Sequence, residues 1–61
     1  MTPLTAAALP PGTTVLYHEL RGNWTSWTWT GMYHKKGGFY RAVVERDGKR
    51  ALKDLRRLKE G

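Results

Sequence analysis

The chain has no cysteine among its 61 residues. Disulfides and thiolate metal sites are therefore excluded. A domain this short buries only about 60% of the surface its unfolded chain exposes. Such domains commonly rely on disulfides, a metal or self-association. What remains open is a tight aromatic core, an oligomer, or a partner that completes the fold.

Carboxylates are scarce as well. Five Asp and Glu stand against eleven Lys and Arg, a net charge of +6 with an isoelectric point near 10.2. The first twenty residues hold only Glu19, and residues 21–39 add Arg21, Lys35 and Lys36 with no acid. This balance favours a polyanionic partner, whether nucleic acid, an anionic membrane surface or an acidic protein, although a solvated basic surface has the same composition. No segment approaches the roughly 20 apolar residues of a membrane helix. The opening MTPLTAAALPPG lacks the basic flank of a secretory signal. The expectation is an intracellular protein of the cytoplasm, nucleoid or nucleus, without a membrane partner. The initial Met suggests a complete small protein.

Aromatic residues, by contrast, are concentrated. Residues 24–36 read WTSWTWTGMYHKK and hold all three tryptophans. Before them, residues 1–12 carry three prolines and an alanine run, which read as a flexible arm with at most one loose helical turn. TTVLYHEL, residues 13–20, is β-branched and aromatic and reads as a strand. RGNWTS reads as an exposed loop carrying Trp24. WTWTGMYH, residues 27–34, alternates, with Trp27, Trp29, Gly31 and Tyr33 on one face. Gly37-Gly38 marks a reversal, and FYRAVVE follows as a strand. Asp47-Gly48 is a strong hairpin signal, placing Glu45 opposite Arg50 and Val44 opposite Ala51. In the tail, Leu52, Leu55 and Leu58 recur every three residues, so an amphipathic helix over 49–60 competes with a strand reading. The Asp-Gly turn needs a returning strand, which favours a strand, a 3-10 turn around Asp54–Arg56 and a last strand through Leu58.

The run Trp29-Thr-Gly-Met-Tyr33, then Tyr40 to Gly48, then Leu52-Lys-Asp-Leu-Arg-Arg-Leu58, resembles SH3-like and Tudor-like small β-barrels. It is also similar to the C-terminal DNA-binding barrels of retroviral-type integrases. The resemblance covers about residues 13–60 and concerns the fold. It implies an all-β chain: a flexible arm over 1–12 and a small barrel over 13–61, with about five short antiparallel strands. It also implies that Trp29, Gly31, Tyr33, Tyr40, Ala42, Val44, Leu52, Leu55 and Leu58 point inward, joined by Val15 and Tyr17 or by Leu16 and Leu20. Gly31 would mark a sharp bend or a close backbone approach.

Outside that core lie Arg21, Trp24, Trp27, Lys35, Lys36, Phe39, Arg41, Arg46, Lys49 and Arg50. Cations neutralise phosphates and flat rings stack bases, so this set is the expected nucleic-acid-binding surface, with low sequence specificity. A methyl-lysine cage is disfavoured because no acid accompanies Trp24 and Trp27. Catalysis finds no nucleophile with an organised base, and His18 and His34 are too isolated in sequence to suggest a metal pair. Short SH3-like dihydrofolate reductases carry a Val-Gln-Ile-Tyr signature that is absent here. The expectation is a non-enzymatic DNA- or RNA-binding protein without cofactor or metal. An adaptor or inhibitor docking on an acidic protein through the same Trp-rich face is the alternative. A free edge strand leaves a homodimer open.

Overall fold

The computed structural model describes all residues, 1–61. The chain is all-β apart from two short helical pieces. A helix α1 (Pro3–Ala8) precedes strands β1 (Thr14–His18), β2 (Trp24–Lys36), β3 (Phe39–Arg46) and β4 (Lys49–Asp54). A 3-10 turn (Leu55–Arg57) then leads into β5 (Leu58–Glu60). All five strands join one antiparallel sheet in the order β4-β3-β2-β1-β5. The tail is therefore strand, 3-10 turn and strand, and the helical alternative over 49–60 does not form.

The hairpins follow from local chemistry. Asp47 and Gly48 both adopt positive φ, 53° and 76°, as a type I′ turn requires. The register that this turn imposes pairs Glu45 with Arg50 and Val44 with Ala51. The Arg50 guanidinium reaches the Glu45 carboxylate at 3.6 Å. At the tail, the Asp54 side chain accepts from the Arg56 backbone N–H at 2.9 Å, which caps the 3-10 turn. The turn reverses the chain so that Leu58 pairs with Tyr17 on β1.

The core consists of Val15, Trp29, Ala42, Val44, Leu55 and Leu58, joined by Ala6 from the N-terminal helix. Tyr17, Trp27, Tyr40 and Ala51 pack partly buried against it. Val15 and Tyr17, not Leu16 and Leu20, supply the inward residues of β1, and Leu20 is exposed. Two residues expected inside lie outside. Leu52 is 54% exposed because it pairs with Val43, whereas Ala51 pairs with the inward Val44. Alternation along β4 then sends Leu52 to the other face. Tyr33 pairs with Ala42 but is itself 37% exposed. Between Trp29 and Tyr33, β2 spends three residues against the single Val43 of β3, a bulge that bends the strand away from the core.

The bulge is held from both sides. The Thr30 hydroxyl donates to the Val43 carbonyl at 2.6 Å, tying the bulge to β3 where the ladder is interrupted. Gly31 has φ +89°, and a Cβ there would stand 2.7 Å from Pro11 Cγ. Only glycine suits that conformation and that approach.

The N-terminal segment also departs from expectation. Pro3 occupies the first turn of α1, where no donor is needed, and Thr2 caps it by accepting from the Thr5 N–H. Six residues would not hold a helix in isolation. Here Ala6 is 1% exposed against the core, and the Trp29 indole N–H donates to the Leu9 carbonyl at 3.0 Å. Backbone bonds from Gly12 to Trp29 and from Trp29 to Thr13 complete the seam. Tertiary packing, not helix propensity, orders this segment. Similarly, Trp24, Thr25 and Ser26 are not a loop: they pair with His18, Tyr17 and Leu16 as the start of β2.

A candidate polyanion-binding face

Strand alternation sorts the side chains onto two sides of the sheet. Val15 and Trp29 are buried, so Tyr17, Thr25 and Trp27 share the inward side, and Trp24 and Ser26 point outward. On β3 and β4 the buried Ala42 and Val44 place Arg46, Lys49, Ala51 and Lys53 inward as well. Glu45, Arg50, Leu52 and Asp54 take the outer side.

The inward side brings together residues far apart in sequence. The Lys53 ammonium lies 4.8 Å from the ring centre of Tyr17 and 4.8 Å from that of Trp27. Lys53 is on β4, three strands from β1 in sheet order. Three strand spacings in a flat sheet would put these strands about 14 Å apart. The contact spans that separation because two long side chains lean together on the inward side of the sheet. The Arg46 guanidinium stands 5.0 Å from the Trp27 ring, and that of Arg57 stands 5.9 Å from Tyr17. Arg57, Tyr17, Lys53, Trp27 and Arg46 thus form one run in which cation and ring alternate.

Hydrogen bonds hold the members of this run. The Trp27 indole N–H donates to the Thr25 hydroxyl at 2.8 Å, and that hydroxyl donates to the Glu19 carboxylate at 2.6 Å. The relay fixes the plane of the indole and uses its one donor, leaving only its face for a ligand. Arg57 Nε donates to the His18 carbonyl at 2.7 Å, which anchors the guanidinium beside Tyr17.

Ion pairing leaves this side positive. Arg50 and Arg56 meet Glu45 and Asp54, and Arg46 approaches Asp47 at 4.0 Å. Lys49, Lys53 and Arg57 have no carboxylate within ion-pair distance. The Asp54–Arg56 pair is the tightest. The Arg56 side-chain hydrogen bond holds the Asp54 carboxyl below the ordinary carboxylate range, and burial partly opposes it.

The residues expected to bind nucleic acid separate into several places. Trp27, Arg46 and Lys49 belong to the alternating run or its hairpin neighbour. Trp24 lies on the opposite side, 43% exposed, stacked on His18 with centroids 4.6 Å apart and with the Lys59 ammonium 4.1 Å from its ring. Lys35, Lys36 and Phe39 flank the β2–β3 turn, where Lys35 stands over Tyr40 and Arg56 over Phe39. Arg41 pairs with His34 and Asp54 on the outer side, Arg50 is occupied by Glu45, and Arg21 sits in the β1–β2 turn. Sequence reasoning missed Tyr17, Lys53, Arg57 and Lys59. The available signal was the dense basic tail, of which Lys53, Arg57 and Lys59 return to aromatics of β1 or β2.

Other site chemistries have less to build on. The one surface groove, about 270 Å³, is open and lies at the Arg46 end of the same run: Trp27 and Arg46 line it together with Thr14, Ser26, Thr28 and the acids Glu45 and Asp47. No three His, Asp or Glu side chains converge as metal ligands. No helix is long and apolar enough to cross a membrane. Comparison of the chain with protein-family models, with curated proteins and with solved structures finds no match.

Proposed function

We propose that this chain is a non-enzymatic nucleic-acid-binding protein built on an SH3-like small barrel. Phosphates are contacted by Lys and Arg, and bases stack on exposed aromatic faces, with little sequence preference. The observation that carries the reading is the alternation Arg57–Tyr17–Lys53–Trp27–Arg46 on one side of the sheet. A polyanion with flat bases needs both elements at close intervals. The indole donor committed to Thr25 supports low specificity, because base edges are then not read by Trp27. A cytoplasmic, nucleoid or nuclear location follows from such a ligand.

A second reading has its own support. Met32, Phe39 and Leu52 are exposed, and Leu52 lies on the free edge strand β4. A protein partner with an acidic rim would cover them and meet the surrounding cations.

Titration of the protein with short DNA and RNA oligonucleotides at two salt concentrations tests the proposal. Binding that weakens steeply with salt and quenches tryptophan fluorescence is the expected result. Absence of binding at low salt would overturn it and favour the protein partner.

A further inference from the structure

We propose that the ligand of the Arg57–Tyr17–Lys53–Trp27–Arg46 run is single-stranded nucleic acid, and that Lys53 leaves the rings for a phosphate when a base stacks. This rests on the nucleic-acid reading above and narrows it.

Three observations point to a single strand. The rings of Tyr17 and Trp27 lie half-buried on the inward side of the sheet. A flat, unpaired base reaches such a face edge-on, whereas bases inside a duplex have no free face to offer. The Trp27 plane is fixed beforehand by the Thr25–Glu19 relay, so stacking costs little further ordering. Finally, a duplex is gripped through its outer phosphates by exposed, unpaired cations on a convex surface. On the outer side of this sheet, Arg50 and Arg56 are neutralised by Glu45 and Asp54, while Arg41 and Lys59 carry no ion pair. Lys53 and Arg57, likewise unpaired, are the ones set beside the rings of Tyr17 and Trp27.

Lys53 is the residue that makes the exchange. In the free protein its ammonium is shared between two ring faces. Cation–π attraction at a partly exposed site is weak. Base stacking is stronger, and a phosphate joined to the stacked base offers the displaced ammonium a charged partner. The same side chain thus covers the rings when the site is empty and neutralises the strand when it is filled.

The test uses a labelled mixed-sequence strand of about 12 nucleotides and the same strand annealed to its complement. Anisotropy is read at about 50 and 200 mM salt. The single strand is expected to bind about tenfold or more tightly than the duplex. Trp27→Leu, which keeps apolar volume but removes the ring face, should weaken it about tenfold or more, and Trp27→Phe should restore most of the loss. Lys53→Gln should reduce the slope of log K against log salt by about 0.7. Circular dichroism of each variant confirms folding, and Lys53→Gln and Trp27→Phe keep the test decisive if Trp27→Leu unfolds. Equal or tighter duplex binding would overturn the single-strand assignment and leave the nucleic-acid reading intact. An unchanged salt slope in Lys53→Gln would overturn the exchange. No binding of either form at low salt would remove both readings.

Discussion

Pro11 lies against Gly31 so closely that a methyl group on the glycine would stand 2.7 Å from Pro11 Cγ. The contact joins the N-terminal segment to the bulge of β2, and the glycine's φ of +89° bends the strand there. Gly31→Ala should therefore destabilise the fold by about 1–3 kcal/mol, part from the backbone conformation and part from the clash. Pro11→Ala in the same chain should recover the steric part only. Denaturant unfolding of the two single variants and the double variant separates the parts, and simple additivity would show that the two residues are not coupled.

Trp29 and Trp24 should respond oppositely to truncation. Trp29 is 1% exposed and its N–H is bonded to Leu9, so Trp29→Ala removes about 3–5 kcal/mol of packing and orphans a carbonyl. In a domain of this size that loss is close to the whole stability, and the variant should be unfolded by circular dichroism at 25 °C. Trp24, 43% exposed on the outer side, should tolerate alanine with a loss of about 1 kcal/mol or less.

The N-terminal helix offers a paired test. Ala6 is buried against the core and its neighbour Ala7 is exposed. Ala6→Asp places a charge where no partner exists and should cost about 3 kcal/mol or more, whereas Ala7→Asp should be within about 0.5 kcal/mol of neutral. Equal effects would mean that the helix does not pack as described.

Acid should weaken the 3-10 turn. The folded-state value of Asp54 is depressed, chiefly by its hydrogen bond from Arg56. Its contribution is therefore fully present above the unfolded carboxylate range, near 3.9, and is lost as pH falls through the lower folded value. Asp54→Asn should remove that acid dependence and cost about 0.5 kcal/mol or less at neutral pH, through the lost Arg56 pair, because Asn caps the turn as well as Asp. Unfolding midpoints compared between pH 7 and pH 3 give the readout. An unchanged pH dependence in the variant would count against the Asp54 linkage.

Much of the fold was legible in local chemistry. Asp47-Gly48 dictates a type I′ turn, that turn dictates the Glu45–Arg50 and Val44–Ala51 register, and alternation then selects Trp29, Ala42 and Val44 as core. The tail was harder because a three-residue leucine spacing suits a helix as readily as a strand and turn. The returning strand demanded by Asp47-Gly48 resolved it.

What the sequence alone determined is what depends on immediate neighbours along the chain: the Asp47-Gly48 turn and its register, the net charge and the absence of thiol chemistry. Only the tertiary structure decided that residues 1–12 pack on the core, because a six-residue helix has no stability until another surface buries it. It also decided which cations meet which rings. Lys53 and Tyr17 are 36 positions apart, and they meet only because their long side chains lean together on the inward side of the sheet.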